Sequence, residues 1–126
     1  MTRTLLLLVL VMAATASSAA AQASATQLTA AEKNGKTVFD KWCTPCHGPV
    51  APARGGFGTG ALPGTAALAV KYQNRVPPVL EQRTNLAPGQ IRTVVRNGLF
   101  GMPITRKTEV SDKELDDIVA YLTRKR

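Results

Sequence analysis

Trp42-Cys43-Thr44-Pro45-Cys46-His47 is the stretch on which the reading of this 126-residue chain turns. Two thiols three positions apart lie on one turn of chain, so each can bond a vinyl group of a single porphyrin. The adjacent imidazole can then swing onto the iron from below. C-x-x-C-H is for that reason the attachment pattern of c-type haem, and Cys43, Cys46 and His47 are the residues that would bind one haem covalently. A closed structural zinc site wants four ligands, and beyond the first 21 residues the chain offers only these two Cys and one His. Zinc is therefore disfavoured.

Two other readings of the same residues stay open. Trp42-Cys43-Thr44-Pro45-Cys46 also looks like the W-C-x-P-C active site of thioredoxin-like thiol-disulfide oxidoreductases. That fold requires a buried strand running into the Trp and a βαβ pattern around it. Here Glu32 to Lys41 reads as a polar-faced helix, and no strand pattern follows. A plain structural disulfide is the other alternative in an exported protein.

A second iron ligand follows by elimination. His47 is the only histidine, so a bis-histidine iron is excluded. Met1 and Met12 fall in the apolar leader, which leaves Met102 as the axial candidate, with an open sixth position or a lysine as the alternative. Met102 sits in Gly98-Leu99-Phe100-Gly101-Met102-Pro103, whose glycines and proline can hold an extended backbone against a flat ring. A methionine packed as a gap filler is the commoner situation. One such residue in a Gly and Pro loop, in a chain needing one soft ligand, favours ligation. A His47/Met102 iron would have no vacancy for substrate, and no second histidine or activated nucleophile exists for other catalysis. The sequence therefore predicts an electron-transfer protein rather than an enzyme.

The N-terminus reads as an export signal. Arg3 supplies the positive region, Leu5 to Ala14 the apolar run, and Ala19-Ala20-Ala21 a small-residue cleavage site, with Ala23 a second possibility. Residues 1–21 are taken as a cleaved signal peptide and 22–126 as one domain in the periplasm. The apolar run is far short of the roughly 20 residues that span a bilayer, and no other stretch reaches that length. The formal charge of +8 includes Arg3, so cleavage lowers it by one. A basic surplus favours an acidic protein partner, an anionic membrane surface or nucleic acid. Export and the scattered placing of Lys and Arg argue against nucleic acid.

Three segments carry helical patterning. Thr29 and Glu32 have capping-box spacing before a helix over 30–42, with Val38, Phe39 and Trp42 on its apolar edge. Pro88 to Asn97 reads as a second, with Ile91, Val94 and Val95 as its stripe and Gly98 as a left-handed terminator. Ser111 and Glu114 cap a third over 112–123, Val110 and Leu115 can staple it, and Leu115, Ile118, Val119 and Leu122 follow the helical period. Residues 48–80 hold most of the Gly and Pro, with Ala66 to Tyr72 as one or two helical turns inside an irregular excursion. The fold class is all-α with much loop.

With these landmarks in place, residues 29–124 resemble class I, mitochondrial-type cytochromes c. The likeness rests on Gly35-x-x-x-Phe39, the Cys43-to-His47 motif, Pro78-Val79-Leu80, Gly101-Met102-Pro103 and the final helix with Tyr121-Leu122. It implies three main helices with long loops wrapped around one haem, the first and last helices crossing with Gly35 and Phe39 against Tyr121. It also implies that the Pro78 carbonyl accepts a hydrogen bond from His47, that Leu80 lies against the haem, and that Arg83 is a candidate for the propionates. A narrower stretch, Pro78-Val79-Leu80-Glu81-x-Arg83, Val95-Arg96-Asn97-Gly98, Met102-Pro103 and Ser111-Asp112, resembles the cytochrome subunits of flavocytochromes of the 4-cresol methylhydroxylase type. The segment Ala51 to Asn74 departs from that likeness by being longer.

The resemblance implies a periplasmic monohaem cytochrome taking single electrons from a flavoprotein dehydrogenase of phenolic substrates and passing them to another cytochrome or a terminal oxidase. A freely diffusing shuttle is the alternative within that class. The rivals from a different class are a thiol-disulfide oxidoreductase using Cys43 and Cys46, and a haem protein with an open site.

Overall fold

The computed structural model describes residues 27–49 and 62–125. The expected signal peptide at 1–21 and the 51–61 part of the Gly- and Pro-rich excursion lie outside the described residues. Helix α1 spans Ala30–Trp42, α2 Thr44–His47, α3 Pro63–Tyr72, α4 Pro88–Asn97 and α5 Asp112–Thr123, with a 3₁₀ turn at Leu80–Gln82. Among the described residues the only β pairing is an isolated bridge between Leu99 and Met102.

Helices α1 and α5 each begin with the reciprocal cap legible in their spacing. The Glu32 amide donates to Thr29 Oγ1 and the Thr29 amide to Glu32 Oε2, and Ser111 and Glu114 repeat the pattern at α5. Each box satisfies two helix-end donors that would otherwise be orphaned. Gly35, Val38 and Phe39 form the buried face of α1, and Leu115, Ile118, Val119, Tyr121 and Leu122 that of α5. The two faces meet in the principal helix contact of the molecule.

The crossing differs in register from the expected one. Phe39 does meet Tyr121, with ring centroids 5.9 Å apart and planes tilted by 53°. Gly35 meets the backbone of Asp117 instead, one turn earlier: a Cβ on Gly35 would stand 1.9 Å from the Asp117 carbonyl oxygen. The absence of a side chain is what lets the two backbones touch.

Asp117 is itself buried, 3 % exposed, at this crossing. Its carboxylate accepts from Lys113 Nζ at 2.6 Å and from Asn34 Nδ2 at 2.7 Å. The Lys113 hydrogen bond, then that of Asn34, hold its pKa below the ordinary 3.8. A carboxyl depressed on folding contributes stability that is complete above its unfolded value and is lost as pH falls through its folded one. Lys113 is largely in solvent, which screens the pair, so the contribution is on the order of 1 kcal/mol. In urea titrations of the holoprotein, Asp117→Asn is therefore expected to cost more stability at pH 7 than at pH 3. Equal losses at both would show the charge to be irrelevant there.

Helix α3 starts three residues earlier than the expected turn at Ala66. Pro63 occupies its first turn, where a missing N–H costs nothing and the ring presets φ. Gln73 and Asn74, at φ 51° and 55°, end it. Helix α4 also opens on proline and buries Ile91 and Val95. Its terminator, Gly98, has the expected positive φ of 71°, but ψ is 175°, a region essentially restricted to glycine rather than the left-handed helical one. That extended exit turns the chain directly into the Leu99–Met102 hairpin.

Candidate haem site

Cys43 is the residue that ends α1 and caps α2. Its amide donates to Phe39 O at 2.8 Å, and its carbonyl accepts from both Cys46 N, at 3.0 Å, and His47 N, at 2.8 Å. One helical turn, set directly on the core helix, thus carries both thiols and the imidazole. Cys43 is half-buried and packs against the core, while Cys46 is exposed, and both are free thiols.

The His47 ring lies against the start of α3. A Cβ on Gly64 would stand 2.6 Å from His47 Cε1 and 2.7 Å from Nδ1, so only glycine leaves room for the imidazole. Thr65, buried beside it, donates from Oγ1 to the Gly48 carbonyl at 2.8 Å and ties α3 to the residue after the histidine. Sequence reading misses both residues, because Pro63-Gly64 looks like loop punctuation. Nothing local distinguishes such a glycine from one required by a ring far upstream in the chain.

His47 Nδ1 and Thr44 Oγ1 are buried and find no hydrogen-bond partner among the described residues. An orphaned polar group of this kind costs about 1–3 kcal/mol and calls for an explanation. Burial also lowers the His47 pKa, keeping the imidazole neutral and its lone pair available to a metal. The hydrogen bond that the resemblance implied from His47 to the Pro78 carbonyl is not made in this arrangement, since Nδ1 faces Gly64.

Met102 is presented by the hairpin. Leu99 N donates to Met102 O at 3.1 Å and Met102 N to Leu99 O at 3.0 Å, while Gly98 passes beneath the Met102 carbonyl, where a Cβ would meet it at 2.7 Å. Arg96 holds the outgoing loop, donating to the carbonyls of Thr105 and Val110 and to Asp112 Oδ1. The half-buried Met102 packs against the same core as Cys43 and Leu80. These three come from separate stretches of chain and are brought to one apolar body. Arg83 follows directly on the 3₁₀ turn that carries Leu80. It is 5 % exposed, its Nε donates to Asn85 Oδ1 at 3.0 Å, and its guanidinium carbon stands 4.4 Å from the Tyr72 ring centroid.

The thiol-exchange reading fails on both fold and chemistry. No strand precedes Trp42 among the described residues. Burial, followed by the neighbouring Cys46, pushes the Cys43 thiol up to about 11, away from the thiolate form that attacks disulfides. Among the described residues no three His, Cys, Asp or Glu side chains gather as a zinc cluster would need. A pair of free thiols, an unpartnered buried imidazole on the same turn and an apolar wall with a thioether fit covalent haem. Bound there, haem supplies an iron that cycles by one electron. This is a c-type cytochrome, an electron-transfer protein.

The comparisons place it more closely. Residues 30–122 match the family model described as cytochrome c oxidase, cbb3-type, subunit III, and the chain belongs to that family. It is also similar to the 4-cresol dehydrogenase [hydroxylating] cytochrome c subunit of Pseudomonas putida, with 29% identity over 101 residues covering 80% of this chain and 68% of that one. No solved structure matches it. Among the described residues no helix is long and apolar enough to cross a membrane.

Proposed function

We propose that His47 and Met102 are the axial ligands of the haem iron, and that the protein carries single electrons in the periplasm after removal of residues 1–21. The observation that carries the ligand pair is the seat of Met102: the sole methionine beyond the leader is held by hairpin hydrogen bonds on the same core as Cys43. A neutral thioether favours ferrous iron relative to a second imidazole and so raises the potential. Leu80 contacts the ring in this reading. Pro78 is the acceptor for the His47 proton once the imidazole turns onto iron. Arg83, whose terminal nitrogens make no hydrogen bond among the described residues, is the candidate for a propionate.

The donor in this proposal is a flavoprotein dehydrogenase of phenolic substrates, supported by the likeness to the 4-cresol dehydrogenase cytochrome subunit. The acceptor is another cytochrome or a terminal oxidase, the latter supported by the description of the family. The test is to mix the ferric holoprotein with a flavin-dependent 4-cresol dehydrogenase stripped of its own cytochrome. Adding 4-cresol is expected to reduce the haem within the enzyme's turnover time. A haem that stays ferric while the flavin is reduced would remove the dehydrogenase and leave a freely diffusing shuttle.

A further inference from the structure

Phe100 is the most exposed large apolar side chain among the described residues, at 94 %, and its φ of 53° lies in the left-handed region. A residue with a bulky side chain is disfavoured there, and turns that need positive φ ordinarily put glycine in that place. Here the glycine, Gly101, comes one position later. Neither core packing nor backbone preference accounts for a phenyl ring at this tip, and an outlier of that kind calls for a functional reason.

The surroundings of the ring carry one sign of charge. Lys71 Nζ stands 5.7 Å from the Phe100 centroid and 5.6 Å from that of Tyr72, whose ring also lies against Arg83. Val70, next to Lys71 on α3, is 79 % exposed. Between Lys41 and Thr108 the only carboxylate in the chain is Glu81, and it accepts the hydroxyl hydrogen bond of Tyr121. Lys71 and Arg75 have no acidic neighbour to neutralise them among the described residues. The paired acids Asp40, Asp112, Asp116 and Asp117 all belong to α1 and α5.

We infer that Phe100, flanked by Lys71, is the docking anchor for an electron-transfer partner whose contact surface is acidic around an apolar patch. The inference rests on the reading of the chain as a carrier between proteins, and it specifies which surface is used. A single exposed aromatic filling an apolar patch supplies the kind of contact that dominates small interfaces, and the one-signed field steers encounter. The partner then touches the same four-residue turn that ends in Met102, so docking brings it to the methionine side of the site.

Phe100→Gly separates this role from a structural one, because it removes the ring while giving the turn the residue its backbone prefers. The probe is plastocyanin, an acidic single-electron copper protein, with oxidation of the ferrous holoprotein followed by stopped flow at low salt. Phe100→Gly is expected to leave the thermal midpoint unchanged or higher and the haem absorption bands unmoved. The bimolecular rate should nevertheless fall about tenfold, the effect of losing one modest anchor. Lys71→Glu should lower the same rate and flatten its dependence on ionic strength. Phe100→Gly should keep the parental rate with the small cationic oxidant tris(phenanthroline)cobalt(III). A Phe100→Gly protein with the parental plastocyanin rate would overturn the inference. Shifted haem bands with docking unimpaired would overturn it too, by placing the ring on the haem. Failure to accept electrons from a phenol dehydrogenase bears on the donor alone and leaves this measurement intact.

Discussion

Gly35→Ala is expected to prevent most of the protein from assembling as a stable holoprotein, although the substitution adds only one methyl group to a helix. By intrinsic propensity alanine should help α1 by about 1 kcal/mol over glycine. The tertiary contact overrides that gain. The new Cβ would stand 1.9 Å from the Asp117 carbonyl oxygen, 2.4 Å from its carbon and 2.9 Å from the Ile118 nitrogen. All three are backbone atoms inside α5 and cannot rotate away. The helices must separate, which opens the Phe39–Tyr121 contact and lengthens the Asn34–Asp117 hydrogen bond.

Overpacking of this severity costs about 3 kcal/mol or more, against a total stability for a small domain of roughly 5–15 kcal/mol. Urea midpoints and the yield of haem-containing protein measure it. Gly89→Ala is the control: Gly89 is in the first turn of α4, and a Cβ there meets nothing within 4 Å. That change should be neutral or stabilising by about 0.5–1 kcal/mol. Equal tolerance of alanine at both glycines would refute the close approach of α1 and α5.

Met102→Ala is expected to give a folded protein with altered iron. The ferric protein should lose its methionine charge-transfer band, carbon monoxide should bind readily to the ferrous form, and the potential should fall by on the order of 100 mV. Removing a half-buried thioether also sacrifices packing, about 2 kcal/mol for a methionine truncated to alanine. Met102→Leu separates the two effects, since it keeps comparable volume against the core without a donor atom. The leucine variant should therefore retain the stability that alanine loses through packing, while losing the band in the same way. A parent protein that already lacked the band and already bound carbon monoxide would show the sixth position to be open.

Much of the site was legible in the chain because its chemistry is local. Cys43, Cys46 and His47 share one turn, so their spacing carries the haem motif. Counting one histidine and one methionine beyond residue 21 left few choices of ligand. Helices α1, α4 and α5 were legible for the same reason, since caps, prolines and apolar periodicity act within four residues. Helix α3 was only half legible. Its apolar pattern is weak, its N-terminus has no side-chain cap, and a Pro-Gly pair inside a glycine-rich stretch reads as a break.

The cofactor chemistry and helices α1, α4 and α5 were thus settled by the order of residues alone, because they depend on groups within one or two turns of each other. Tertiary packing was needed to establish that Gly35 meets the Asp117 backbone rather than Tyr121 and that Gly64 makes room for the His47 ring. It likewise placed Met102 on the core shared with Cys43 and left Phe100 outside it. These are contacts between stretches far apart in the chain, set by how closely two backbones approach, and no local pattern of residue types encodes that distance.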